Sequence, residues 1–267
     1  MKIGLFDSGL GGLIVTHGLI KNLPDYDYLY LGDTARVPYG NRSQEVVYEF
    51  TKSGVEYLFE HGCQLVILAC NTASAEALRR IQNEYLPEHY PERRVLGVLV
   101  PGAEEAIAHT HNGKVGIIAT RGTVDSQAYI REVHKLNPHI KVFQQAAPLL
   151  VPLVENNAFA YAEPILGDYI APLLTEGVDT LVLGCTHYPL FKAHLRKRLA
   201  GKIAVVSQDE FIPTKLADYL RRHPEINQKL SKNGTHHFLV TDLAPSTREV
   251  ARIIFGAPIT LEKVTLD

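Results

Sequence analysis

Thr180-Leu181-Val182-Leu183-Gly184-Cys185-Thr186-His187 decides the fold once it is set beside Leu65-Val66-Ile67-Leu68-Ala69-Cys70-Asn71-Thr72. Each stretch is an apolar run, one small residue, a cysteine and then polar residues. A second pair matches in the same way: Lys2-Ile3-Gly4-Leu5-Phe6-Asp7-Ser8 and Lys114-Val115-Gly116-Ile117-Ile118-Ala119-Thr120. Cys70 and Cys185 are 115 residues apart, and Lys2 and Lys114 are 112 apart. One unit has been used twice.

Working outward, short β-branched runs alternate with amphipathic segments. The pattern predicts strands over 2–7, 28–32, 65–69, 95–99, 114–119, 140–145, 180–184, 203–206 and 237–241. Helices are predicted at about 11–22, 43–61, 73–86, 101–110, 125–136, 158–175, 189–199, 213–221 and 246–255. Continuously apolar strands suit a parallel sheet covered on both faces. Repeated βαβ units imply right-handed crossovers. The expected fold is α/β, with two pseudo-symmetric doubly wound lobes of mainly parallel sheets and an active site in the cleft between them. Residues 1–99 and 208–267 form the first lobe, carrying Cys70, and residues 100–207 form the second, carrying Cys185. The last strand and helices have no counterpart in the repeat and are expected to return to the first lobe.

Composition narrows the function. The chain has 267 residues, 46% hydrophobic and 21% charged, which is ordinary for a globular protein. A formal charge of −2 gives no sign of nucleic-acid binding or attachment to an anionic membrane. The basic residues Lys192, Arg196, Lys197, Arg198 and Lys202 read as a solvated helix face. No run approaches the roughly 18 apolar residues of a spanning helix. Three cysteines, with no C-x-x-C and no zinc spacing, point to reduced thiols in a cytoplasm and to no bound metal.

In open α/β sheets, ligands bind beyond the carboxyl ends of the strands. Cys70 and Cys185 stand at such ends, just before predicted helices, where a helix N-terminus favours the thiolate. Single cysteines are common in cores, but two at equivalent repeat positions argue for chemistry. Cys63 precedes its predicted strand, has no counterpart and reads as structural. A thiol on each face of one tetrahedral carbon is what inversion by proton exchange requires. Asn71, Thr72, Ser74 and Thr186 are natural capping or anion-holding residues. His187, two residues after Cys185, suits a proton relay, and Glu155 is a candidate to orient it. Asp7 either caps the next helix or helps a neighbouring thiol move a proton. The glycines of Asp7-Ser8-Gly9-Leu10-Gly11-Gly12 allow tight turns and leave N–H groups for an anion. A dinucleotide site, with Asp33 as its acid, is the rival reading. Against it, Ile14 stands where the third glycine of G-x-G-x-x-G belongs. Thr120 and Thr123 lie in the second-lobe counterpart of the Ser8 loop.

At these residues the chain resembles the glutamate racemases of bacterial cell-wall synthesis, within the aspartate/glutamate racemase superfamily. The matching motifs are Phe6-Asp7-Ser8-Gly9-Leu10-Gly11-Gly12, Gly32-Asp33-Thr34-Ala35-Arg36-Val37-Pro38-Tyr39-Gly40, Ala69-Cys70-Asn71-Thr72-Ala73-Ser74, Gly122-Thr123, Pro152-Leu153-Val154-Glu155 and Gly184-Cys185-Thr186-His187-Tyr188-Pro189. The resemblance implies cofactor-independent interconversion of L- and D-glutamate, supplying D-glutamate for peptidoglycan and so for cell shape. It implies Cys70 and Cys185 as the acid/base pair, Asp7 assisting Cys70, and His187 with Glu155 behind it assisting Cys185. Ser8, Pro38, Tyr39, Gly40, Asn71, Thr72, Thr120, Thr123 and Thr186 would hold the substrate, with Asp7 and His187 beside them. The family also allows a homodimer.

Two departures stand out. Ala147 replaces a further cysteine found in many members. Ser207-Gln208-Asp209 stands where the family often has Asp-Ser-Gly, at the crossing back to the first lobe. An N-terminal extension linked in some members to activation by a cell-wall precursor has no counterpart here, and no such activation is expected. Open alternatives are an aspartate or hydantoin racemase of the same fold, and a non-catalytic or second, partner-binding role. A one-cysteine decarboxylase is disfavoured by the second cysteine.

Overall fold

The computed structural model describes residues 1–266. Among these, ten strands form two sheets, and every pairing is parallel. In chain order the strands are β1 (Lys2–Asp7), β2 (Tyr28–Gly32), β3 (Cys63–Leu68), β4 (Arg94–Gly97), β5 (Lys114–Ala119), β6 (Lys141–Ala146), β7 (Thr180–Gly184), β8 (Ala204–Val206), β9 (His236–Val240) and β10 (Glu262–Lys263). The first sheet runs β10-β9-β2-β1-β3-β4 and the second β6-β5-β7-β8. The repeat is now explicit: β2-β1-β3-β4 and β6-β5-β7-β8 have the same order, and a cysteine follows the third strand of each set. β9 extends the first sheet by pairing with β2 from Tyr28↔His236 to Gly32↔Val240.

The central strands are apolar because helices cover both their faces. β1 is buried beyond Lys2 and β7 throughout. One hydrophobic cluster runs without a break from Ile3 and Leu5 of the first sheet to Val115 and Ile117 of the second. Leu13 and Leu19, Leu99 and Ala103, and Phe211 and Leu216 fill the space between, from helices Leu13–Asn22, Leu99–His109 and Gln208–Arg222. A second cluster, around Phe6, Val47, Phe59 and Val66, covers the other face of the first sheet. The two sheets therefore share a core.

The elements differ from expectation where turns and prolines intervene. The helix expected at 73–86 starts at Asn71, with the Cys70 sulfur accepting from Ala73 N at 3.4 Å. It then breaks into Asn71–Glu76, Leu78–Arg80, a wider π turn over Ile81–Tyr85, and Leu86–His89. Pro87 has no N–H for the ordinary ladder, and the π turn accommodates it. Helix Gln208–Arg222 begins well before the expected 213, because Pro213 lies inside it and does not open it. Asp209 and Glu210 supply the acidic first turn that a helix N-terminus favours. The short helices Arg121–Asp125 and Leu150–Glu155 lie where the sequence reads as loop. Cys63 belongs to β3 as its first residue. The basic cluster is not simply solvated: Lys192, Arg196 and Arg198 pair with Asp209, Glu210 and Glu163.

Candidate active site

The carboxyl ends of β1, β2, β3, β5 and β7, with the helix after β6, converge on one narrow cavity of about 50 Å³. Ser8, Pro38, Tyr39, Gly40, Cys70, Asn71, Thr72, Thr120, Glu155, Cys185, Thr186 and His187 line it. Gly9, one of the loop glycines read as holding an anion, lines it too, as do Val37 and Val151, which were not anticipated. Val37 lies inside a motif already singled out, so adjacency was the available signal. Val151 carried no signal, because its helix read as a loop. Asp7 and Thr123 stand behind the wall. Two larger clefts, of about 640 and 630 Å³, lie elsewhere and contain no cysteine. Cys70 and Cys185 both sit in the small, narrow space.

The two thiols have different surroundings. Cys70 is 5% exposed. Its thiol donates to Ser8 Oγ at 3.3 Å, and its sulfur accepts from the Ala73 amide. Burial, together with the charge of Asp7, pushes the Cys70 thiol up to about 12, against the hydrogen bonds of Ser8 and Ala73. Cys185 is 6% exposed, with His187 Nδ1 3.9 Å from its sulfur. On the other side of the ring, Glu155 Oε1 lies 3.3 Å from His187 Nε2, within ion-pair range but off the line of a hydrogen bond. Burial works to lower the His187 pKa, but contact with Cys185 and Glu155 outweighs it and holds the imidazole up at about 10.

Asp7 bridges the two sheets. Its carboxylate accepts from Gly9 N at 3.0 Å and from Thr186 Oγ1, beside Cys185, at 3.3 Å. Full burial raises its pKa, although the charge of His187 and these hydrogen bonds oppose the rise. The Gly9 N–H is therefore taken up by Asp7. The neighbouring glycines are required by close packing: a Cβ on Gly11 would lie 2.3 Å from Thr186 Oγ1, and one on Gly12 2.7 Å from Asp7 Cβ.

The 37–40 loop closes the site against the second sheet. A Cβ on Gly40 would lie 2.9 Å from Thr120 Cβ. The Tyr39 phenol donates to Asp33 Oδ2 at 2.5 Å. Asp33 also accepts from Arg36 Nε and from Thr241 Oγ1 of the returning segment. Asp33 thus anchors the loop. Thr72 and Thr120 meet across the cleft at 2.9 Å, with Thr123 3.0 Å from Thr120. Ala147 lies outside the cavity, its carbonyl accepting from Tyr188. Among the described residues, no cluster of three or more His, Cys, Asp or Glu side chains is disposed to hold a metal ion.

The profile of the Asp/Glu/Hydantoin racemase family matches residues 12–208. A glutamate racemase of Geobacter metallireducens is 39% identical over 262 residues, 96% of this chain and 93% of that protein. The crystal structure of glutamate racemase isoform RacE1 from Bacillus anthracis superposes with a TM-score of 0.90 at 36% identity, over 99% of this chain and 97% of that one. Glutamate racemase from Francisella tularensis, solved in complex with D-glutamate, gives 0.88 at 32% identity over 100% of this chain and 98% of that one. The chain belongs to the Asp/Glu/Hydantoin racemase family. It is a racemase, an isomerase, and it shares the two-lobed fold of these relatives. No helix among the described residues is long and apolar enough to cross a membrane.

Proposed function

We propose that this protein interconverts L- and D-glutamate without a cofactor, by proton exchange at Cα between Cys70 and Cys185. One observation carries the reading: the two buried thiols line the same narrow cavity from equivalent strand ends of two sheets with the same strand order. One cysteine takes the α-proton as thiolate while the other returns a proton to the opposite face. Cys70, kept as the neutral thiol by burial and by Asp7, is set to donate when L-glutamate is bound. His187, backed by Glu155, serves Cys185. Asp7 tunes Cys70 by charge and ties it to the Thr186 side of the cleft. Proton transfer from positioned groups supplies about 10²–10⁴-fold. Fixed donors around the α-carboxylate supply the rest. These are Asn71, Thr72, Thr186 and the Ser8 hydroxyl, with Thr120, backed by Thr123, and the Pro38-Tyr39-Gly40 loop completing the enclosure.

At about 10–15 Å³ per water sphere, a cavity of about 50 Å³ admits a few waters and no amino acid. Substrate entry therefore requires the lobes to part, and we take 1–99 with 208–267 as one moving unit and 100–207 as the other. The biological role that follows is D-glutamate supply for peptidoglycan, in the cytoplasm.

The test is solvent deuterium incorporation at Cα of each glutamate enantiomer with no added cofactor, with aspartate as comparator. Incorporation from both enantiomers of glutamate and not of aspartate is expected. Exchange confined to aspartate, or none at all, refutes the reading. Cys70→Ala and Cys185→Ala each abolish turnover, and retained racemisation in either variant refutes the two-thiol mechanism.

A further inference from the structure

Asn71 follows Cys70 and lines the cavity. Its side chain is 2% exposed, and its Oδ1 accepts two hydrogen bonds, from the Tyr129 hydroxyl at 2.9 Å and from Gln208 Nε2 at 2.8 Å. Its Nδ2 is buried with no protein acceptor. Tyr129 comes from helix Ala128–Leu136 of the second repeat, and Gln208 opens the helix that leads the chain back. Both are fully buried. Three elements thus meet on one amide oxygen.

A carboxamide has an acceptor end and a donor end of nearly the same shape, so its orientation is set by its neighbours. Tyr129 sets it here. A buried phenol must donate its proton, and Asn71 Oδ1 is the acceptor it reaches. Turning the amide over would set N–H against both donors, the Tyr129 hydroxyl and Gln208 Nε2. The second donor, Gln208, stands at the start of the returning helix, and its side chain is long enough to reach Asn71.

We propose that Tyr129 and Gln208 are positioning residues that lock the Asn71 carboxamide with its oxygen away from the cleft, so that the Nδ2–H bonds are reserved for a carboxylate of the bound amino acid. This rests on glutamate racemisation as the activity and on Asn71 as a substrate contact. An anionic ligand gains from two oriented N–H donors and is repelled by an amide oxygen, so the lock acts on substrate affinity more than on proton transfer.

The test is a double-mutant cycle on racemisation kinetics. Gln208→Glu puts an acceptor against Asn71 Oδ1 and drives the amide to turn over. KM for glutamate is expected to rise about 10-fold, a cost on the scale of one misdirected hydrogen bond to a charged group, with kcat within about 3-fold. In the Asn71→Ala background the same substitution is expected to change KM less than about 2-fold. Tyr129→Phe follows the same pattern with a smaller rise. An equal rise in both backgrounds, or no rise in the native background, overturns the proposal. If the native chain does not racemise glutamate, the functional reading fails in that control. A neutron structure of the deuterated protein then decides the orientation independently of activity. Two deuterons on the Asn71 atom facing away from Tyr129 support the lock, and deuterons on the atom facing Tyr129 refute it.

Discussion

Gly11→Ala is expected to damage catalysis without replacing an acid/base group. A Cβ there would stand 2.3 Å from Thr186 Oγ1 and 2.6 Å from His187 Nδ1, where ordinary contact begins at 3.4 Å. Neither neighbour yields easily. Thr186 is 4% exposed and bonded to Asp7, and His187 is 5% exposed between Cys185 and Glu155. Relief therefore needs a shift of about 1 Å of the first-sheet loop against the Cys185 segment, and displacement on that scale costs about 10²-fold in rate. Overpacking of this kind costs about 1–3 kcal/mol in stability. At this chain length each kcal/mol lowers Tm by about 2–4 °C. Polarimetric assay of D-glutamate turnover reads the rate, and thermal unfolding followed by circular dichroism reads the stability. A folded variant with kcat within 2-fold of the native value would refute the claim that this packing fixes Cys185 and His187.

Three further outcomes follow from the charge distribution. Burial works to raise the Asp27 pKa, but hydrogen bonds from Thr235 and Asn233 outweigh it and hold the carboxyl well below its usual range. A depressed carboxylate stabilises the fold above its unfolded pKa and stops doing so as pH falls through the folded value. Asp27→Asn is expected to cost about 2 kcal/mol at neutral pH, shrinking as the unfolded carboxylate takes up protons below about pH 4, as read by urea titrations at several pH values. His187 has the opposite sign: its pKa rises from 6.5 to about 10, so its contribution is complete below pH 6.5 and is lost as pH rises through 10. His187→Asn should flatten the decline in stability across that window and remove any loss of activity near pH 10. An unchanged decline would show that the imidazole does not hold its proton there. Tyr39→Phe leaves Asp33 Oδ2 without its phenol donor. It is expected to raise KM several-fold through the Pro38-Tyr39-Gly40 loop, and an unchanged KM would show that the loop holds its shape without that bond.

Much of this was legible because hydrophobic patterning and local motifs act over a few residues. The apolar runs before Cys70 and Cys185 mark strands buried on both faces, and their matched placement marks the repeat. Burial hid in the same runs that Cys63 opens β3. The loop glycines were read as a source of free N–H groups. Their actual constraint, contact with Thr186 and His187, comes from residues about 175 positions away, and no local pattern carries that. Helix Leu150–Glu155 holds Pro152, which reads as a breaker, yet it places Val151 and Glu155 at the cavity. The convergence of Tyr129 and Gln208 on Asn71 is likewise tertiary: a glutamine after a short strand is indistinguishable by sequence from an exposed one. Asp33 has the spacing of a ribose-binding acid; Ile14 in place of the third glycine speaks against that role in the sequence, and the bonds from Tyr39, Arg36 and Thr241 show the tertiary one.

The pairing of β9 with β2 has a consequence during synthesis. At about 5–20 residues per second, Tyr28–Gly32 leaves the ribosome well before His236–Val240, so for many seconds an apolar strand waits with one flank open. Such a flank is a template for unwanted pairing with another chain. Until β9 arrives, the growing chain is open to misassembly along that flank of β2.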